Sequence, residues 1–240
     1  MYLLHNDSVA FPPPQLADSD GFLAVGGDLS AERLTASYAL GIFPWYNEPP
    51  ILWFSPAPRF VLPPEKLRIQ RSLKRVIAKS AFTITMDRDF SAVLRACQAA
   101  PRTGQDGSWL NDDLIAAFES MHALGRAHSV ESWSDGELVG GLYGVTLGSV
   151  FFGESMFANI ANASKVAFAH LVRHLTDCGF SLIDCQMHTP HLERFGAEFW
   201  SRERFQEHLA AHTGRKPATA LGPAILAEVK VPINPGSEEP

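Results

Sequence analysis

The chain has 240 residues, 46% of them hydrophobic and 19% charged, a balance that supplies a sizeable core and excludes an intrinsically disordered protein. No apolar run is long enough to span a bilayer, the start lacks the basic and apolar regions of a secretory signal, and Cys97, Cys178 and Cys185 are too scattered for a disulfide framework or a cysteine zinc site; a cytoplasmic protein without membrane contact is expected. The formal net charge of −6 excludes a surface that attracts nucleic acid everywhere, so such a partner would need a local patch.

Residues 1–62 are rich in proline, glycine and aromatics. They contain one evident helix, Ala31–Leu40, with Ser30 as its cap and Gly41 as its stop. Two aromatic, strand-like segments follow, Gly41–Tyr46 and Ile51–Pro56. Pro63-Pro64 marks a boundary, so a small N-terminal domain (1–62) is expected to precede a larger one (63–214). The larger one opens on a basic run, Lys66, Arg68, Arg71, Lys74, Arg75 and Lys79, with no acidic residue between them. From Gln70 onward Arg71, Lys74 and Arg75 share one helical face, with Lys79 a turn further on. A solvated helix face is the ordinary reading of such a run. The lack of compensating carboxylates favours a phosphate-binding patch.

A strand at Phe82–Met86 comes next, then helices at about 89–100 and about 111–124, the second capped by Asn111. Ser129–Trp133 and Glu137–Val145 flank an Asp135-Gly136 turn and read as a hairpin. Phe151–Phe157 reads as an apolar strand entering a polar loop. Val166, Ala167, Phe168, Leu171, Val172 and Leu175 then recur at helical spacing up to a stop at Gly179, and residues 180–185 return as a strand. A last helix runs from Ser201 to Gly214. Residues 215–240 are rich in proline and alanine and are expected to form a poorly ordered or loosely docked tail.

A strand–helix–strand unit places its strand-end loops around one crevice, where ligands of α/β sheets commonly sit. Glu154, Asp184 and Gln186 fall at or near those ends and form a candidate reaction centre. Each also has a plainer reading: a strand-end Asp commonly caps a loop, and Glu154 could bond loop N–H groups. The pairs His170/His174 and His208/His212 have zinc-pair spacing but no third ligand, so no metal is expected. Gly140–Gly144 belongs to a hairpin strand, and Ser155 lacks the second glycine of a nucleophile elbow.

A helix pair, an antiparallel hairpin and then β–α–β is the order of acetyltransferase-like (GNAT) folds, so an α+β, GNAT-like C-terminal domain is expected. Gly41-Ile42-Phe43-Pro44-Trp45, Trp53–Arg59, Thr103-Gly104, Trp109-Leu110, Gly153–Phe157, Ala163-Ser164-Lys165 and Ile183–Gln186 go further. In this order they resemble the leucyl/phenylalanyl-tRNA–protein transferase family over roughly residues 1–213. The resemblance implies a bacterial enzyme of the N-end rule pathway that moves Leu or Phe from aminoacyl-tRNA to the N-terminal Arg or Lys of an acceptor protein. It points to Asp184 and Gln186 as catalytic residues and to Glu154 as the partner of the donor's α-ammonium group.

An aminoacyl ester is already activated, so direct aminolysis needs neither a cofactor nor a covalent enzyme intermediate. Such an enzyme has to hold amine and ester together, accept or relay a proton and stabilise an oxyanion. Asp184 suits an amine-orienting or proton-accepting role and Gln186 suits orienting the carbonyl. A ribose hydroxyl of the tRNA could relay the proton instead. Trp53, Trp109, Leu142, Met156 and Ile183 are the candidate lining for an apolar donor side chain, and a monomer is expected. A coenzyme-A-dependent acetyltransferase is disfavoured because residues 157–165 contain no glycine to clasp a pyrophosphate. A non-catalytic tRNA adaptor would explain the basic helix but not the three polar residues at one crevice.

Overall fold

The computed structural model describes residues 2–79, 81–101 and 109–228; Thr103-Gly104 of the quoted motifs lies outside the described residues. The N-terminal part contributes β1 (Tyr2–Leu4), β2 (Phe22–Gly26), α1 (Ala31–Ala39), β3 (Phe43–Pro44) and β4 (Leu52–Phe54). Its strands pair in the order β1-β2-β4-β3. The Ser30 hydroxyl accepts from Arg33 N at 3.3 Å and caps α1, which satisfies one of the orphan donors at its start. Gly41 follows the helix at φ 67°, and a Cβ there would lie 2.5 Å from the Phe205 ring. Both the backbone and the packing therefore demand glycine.

The larger part comprises β5 (Arg59–Leu62), α2 (Arg71–Ala78), β6 (Thr83–Met86), α3 (Phe90–Ala99), α4 (Asp112–Ala123), β7 (Ala127–Ser134), β8 (Glu137–Leu147) and β9 (Val150–Ala158). It continues with α5 (Ala163–Asp177), β10 (Leu182–Asp184), α6 (Pro190–Arg194), β11 (Glu198–Trp200), α7 (Arg202–His212) and β12 (Ala224–Ala227). Its sheet has eight strands in the order β11-β5-β10-β9-β8-β7-β6-β12. The chain is thus mixed α+β, with a small N-terminal part and a larger sheet-rich part.

Alternation along the strands builds a core on each face, because successive side chains point to opposite sides. Phe152 packs with Val93, Leu94, Phe118 and the aromatics of the N-terminal sheet. Its neighbour Phe151 packs with Phe168, Leu171 and Leu175 of α5. Asn111 caps α4 by accepting from Leu114 N at 3.0 Å. The Asp135-Gly136 turn holds both residues at positive φ (51° and 82°), as a two-residue hairpin requires.

Two expectations are corrected. Arg59–Leu62 belongs to the larger sheet, where β5 pairs antiparallel with both β10 and β11. Pro63 and Pro64 are buried, so they do not form an exposed linker after residue 62. The tail is not wholly loose either, because β12 pairs antiparallel with β6, Ala224 opposite Met86. It covers the backbone groups that β6 would otherwise expose as a sheet edge. A four-residue strand, Ala224-Ile225-Leu226-Ala227, is too short to show a period in the sequence. β1, β2, α6 and β11 are likewise short and do not stand out from their surroundings; residues 229–240 lie outside the described residues.

Removing residues 224–240 should expose the β6 edge, lowering the unfolding temperature and promoting aggregation. Removing only 229–240 should do neither. Equal melting and light scattering for the two truncations would show that β12 contributes nothing.

Candidate active site

β9 and β10 run parallel only as far as Phe152 and Asp184. Beyond that point β9 continues against β8, while the chain after Asp184 turns toward β5, with Cys185 N donating to Phe60 O at 2.9 Å. The opening between them is a cavity of about 390 Å³. Gly153–Met156 line one side and Ile183–Met187 the other. Phe43, Pro44 and Trp45 of the N-terminal part, with Trp109, Leu142, Phe151 and Phe168, supply apolar walls. It lies at the carboxyl end of β10, where ligands of α/β sheets collect.

A β-bulge aims Glu154 into this space. Gly144 pairs with Gly153 and Tyr143 with Ser155, so Glu154 is the extra residue on β9, a device that commonly redirects one side chain. Its Oε1 accepts from the Tyr38 hydroxyl at 2.8 Å and from Gln186 Nε2 at 2.9 Å. Burial pushes the Glu154 carboxyl up to about 8; the Tyr38 hydrogen bond opposes the rise and the Asp184 charge adds to it. Burial, with the neighbouring Glu154, also holds the Tyr38 hydroxyl well above its ordinary value.

Asp184 is fully buried and forms a two-pronged ion pair with Arg59. Arg59 Nε donates to Oδ1 at 2.8 Å and Nη2 to Oδ2 at 2.7 Å. Oδ1 also accepts from Gln186 N at 2.8 Å. That bond steadies Gln186 at φ 61°, a left-handed conformation that non-glycine residues hold only where the surroundings fix it. The Arg59 guanidinium lies 4.9 Å from both the Phe43 and the Phe205 ring centroids. Burial, with Asp184 beside it, raises the Cys185 thiol far above its ordinary range, so this cavity residue is no thiolate nucleophile.

Of the residues singled out in the sequence, Glu154, Asp184, Gln186, Trp109, Leu142, Met156 and Ile183 line this one cavity. Trp53 does not. It is fully buried in the N-terminal core, its Nε1 donates to Gly26 O at 2.9 Å, and its ring packs edge-on against Phe11. Strand alternation points it away from the cavity. Among the basic residues, Arg71, Lys74, Arg75 and Lys79 are exposed on or at the end of α2, with Leu73 buried on the opposite side. Lys66 is instead tied to Glu198 at 2.6 Å, whereas Arg71, Lys74, Arg75 and Lys79 have no ion-pair partner among the described residues. Arg68 opens onto a second, smaller cavity.

Sequence reasoning passed over Trp45, Tyr38 and Arg59. Arg59 did carry a signal, a lone charge heading the apolar run Phe60-Val61-Leu62, which asks for a buried partner. Nothing local distinguishes Trp45, in the cavity, from Trp53, in the core.

Residues 61–210 match the family model described as leucyl/phenylalanyl-tRNA protein transferase, and residues 27–57 match the model for its N-terminal domain. The chain belongs to the leucyl/phenylalanyl-tRNA–protein transferase family. It is 53% identical over 212 residues to the transferase of Myxococcus xanthus (strain DK1622), covering 88% of this chain and 91% of that one. Identity to that of Syntrophobacter fumaroxidans is 56% over 205 residues (85% and 88% covered), and to that of Nitrosospira multiformis 54% over 209 (86% and 89%). Among solved structures, L-PGS from Bacillus licheniformis aligns with a TM-score of 0.38 and 14% identity over 79% of this chain and 59% of that one, too low to bear on the fold. The break between the two transferase models, between residues 57 and 61, falls where the chain leaves the small sheet and enters β5.

Asp184→Ala should destabilise this transferase by about 3–5 kcal/mol, because it leaves the Arg59 charge buried and unpaired. Gln186→Ala, which keeps the ion pair, should cost about 1 kcal/mol. Urea unfolding separates the two, and similar small losses would deny the ion pair a structural role.

The Glu154 carboxyl has a folded pKa above its unfolded one. Its protonated form supports the fold fully below about pH 4.5, and this contribution is lost as pH rises through about 8. Glu154→Gln should therefore gain stability over the parent as pH rises from 5 to 9, by about 1–3 kcal/mol once water in the open cavity is allowed for. A difference constant with pH would mean that Glu154 is ionised throughout.

Proposed function

We propose that the cavity between β9 and β10 binds the aminoacyl end of the donor tRNA and that transfer of Leu or Phe to a protein's N-terminal amine takes place there. The observation that carries this reading is a carboxyl group, Glu154, set by a bulge into a largely apolar cavity at the split of two parallel strands, with the second carboxylate of the lining, Asp184, already paired with Arg59. An aminoacyl donor offers the complement, an apolar side chain beside a free α-ammonium. Leu142, Met156 and Ile183 would take the side chain, Trp109 would close the cavity over it, and Trp45 offers a face on which the terminal adenine could stack.

In the transfer the acceptor's α-amine nitrogen attacks the ester carbonyl carbon. A C–N bond forms, the ester C–O bond breaks, and the ribose oxygen leaves with a proton that the amine gives up. Asp184 suits a positioning role better than proton acceptance, since its oxygens already accept from Arg59 and the Gln186 backbone. Gln186 is then the group nearest the reacting atoms, its amide anchored through Nε2 to Glu154 and its Oε1 available as an acceptor for the incoming amine. The proton would pass to the neighbouring ribose hydroxyl or to solvent. Arg71, Lys74, Arg75 and Lys79 would meet phosphates of the tRNA body.

The same reading covers the finer expectations: N-terminal Arg or Lys as acceptor, the N-end rule as context, a monomer, and the cytoplasm as location. The larger part is assigned to the acetyltransferase-like (GNAT) type, supported by the antiparallel β7-β8-β9 run, the α5 crossover and the parallel β10.

The test is incubation with labelled Phe-tRNA and a protein bearing an N-terminal Arg. Label should appear on the acceptor's α-amine, and N-acetyl-Phe-tRNA should donate at least tenfold more slowly. Glu154→Gln should narrow that ratio several-fold. Release of free Phe, or no loss of label from the tRNA, would overturn the reading.

A further inference from the structure

A second cavity of about 60 Å³ lies beside the donor cavity, and His191 lines both. Its other walls come from Arg68, the first turn of α2 (Ser72, Leu73), the start of α5 (Asn162, Lys165) and α6 (Arg194). Three cations from three separate stretches of chain thus converge on a space whose lining, among the described residues, includes no carboxylate. Among the described residues none of Arg68, Lys165 and Arg194 has an ion-pair partner, whereas the nearby Lys66 and His188 are matched by Glu198 and Glu193. His191 Nε2 is buried without a hydrogen-bond partner. Asn162, which precedes α5, holds a left-handed conformation and makes no side-chain cap, so the first N–H groups of α5 are not capped by it.

Converging cations without counter-charges repel one another and persist at a cost unless an anion joins them. The multi-donor setting suits an oxygen-rich monoanion such as a phosphodiester, which Arg and Lys together recognise. The position selects among phosphates. Helix α2, which carries Arg71, Lys74 and Arg75, reaches this cavity through Ser72 and Leu73, and His191 joins the cavity to the aminoacyl cavity.

We infer that the cavity of Arg68, Lys165 and Arg194 binds a phosphodiester of the donor's single-stranded 3′ end, next to the aminoacyl-adenosine. The inference rests on the donor-site reading proposed above. It adds a subsite between the tRNA body and the reaction centre, one that a short donor can reach and the α2 face cannot serve. A contact there would hold the 3′ end in register, so it should be read in KM more than in kcat.

The experiment compares three donors: phenylalanyl-adenosine, which has no phosphodiester; phenylalanyl-cytidyl-cytidyl-adenosine; and full Phe-tRNA. For Lys165→Met/Arg194→Met the ratio of kcat/KM between the trinucleotide and the adenosine donor should fall about tenfold, through KM. Arg194→Met alone, at an exposed position, should give part of that loss, and Lys165→Arg should restore it. Lys74→Ala/Arg75→Ala should lower the ratio of tRNA to trinucleotide instead. An unchanged trinucleotide-to-adenosine ratio in the double and single variants overturns the subsite. So does a loss shared equally by the adenosine donor, or binding of inorganic phosphate alone by calorimetry with no effect on the trinucleotide. If the parent protein transfers Phe from none of the donors, it is the donor-site reading that fails.

Discussion

The ion pair between Arg59 and Asp184 is the constraint on which the site depends. A buried pair of this kind adds little net stability compared with an apolar pair of the same shape, because both charges lose their water. What it adds is a fixed arrangement. Arg59 sits in β5 with its guanidinium beside Phe43 of the N-terminal sheet and Phe205 of α7. Asp184 ends β10 and holds the backbone of Gln186. Gln186 reaches Glu154 on β9, and Glu154 reaches Tyr38 on α1. The chain of contacts leaves the N-terminal part at Phe43 and returns to it at Tyr38. The N-terminal part is therefore not an appendage: its sheet and helix α1 supply the two anchors of the polar network, and it forms one wall of the cavity.

Much of this architecture was legible in the sequence, and the legible parts share a cause. Helices announced themselves where a cap and a periodic apolar face coincide, as at Ser30, Asn111 and Ser201. The hairpin announced itself through Asp135-Gly136. Those signals act over a few residues, so a linear reading can see them. The polar network does not act locally. Arg59 and Asp184 are 125 positions apart, and Tyr38 and Glu154 are 116 apart. Glu154, Asp184 and Gln186 could be named as candidates, but which of them points into the cavity and which is locked in an ion pair depends on pairings that no spacing encodes.

The misplacement of Trp53 and the unforeseen partner of Lys66 have the same origin. Trp53 lies in β4 and Trp45 just after the end of β3 in the same small sheet, yet one is buried in the core and the other lines the cavity. Lys66 looks like the first member of the basic run, yet β11 brings Glu198 beside it from the far end of the chain. A one-dimensional count of charges overlooks a counter-charge delivered by tertiary structure. The tail shows the converse: Ala224–Ala227 has no pattern of its own and is made a strand by the open edge of β6.

The elevated carboxyl of Glu154 fits the donor it is proposed to meet. Its value of about 8 lies close to the roughly 7.7–8.0 of a free α-amine. Near neutral pH the empty site therefore holds a proton that an incoming neutral amine can accept, or loses it when an ammonium arrives. Both routes end in the same ammonium–carboxylate contact at little cost in proton exchange. An ordinary carboxylate, ionised and hydrated, would have to shed more water to enter such a cavity. An acetylated amine can complete neither route, since it cannot take the proton or bring a positive charge. On the proposed reading, placing a hard-to-ionise carboxyl among apolar walls would convert the cost of burying a charge into selectivity for donors that carry a free amine.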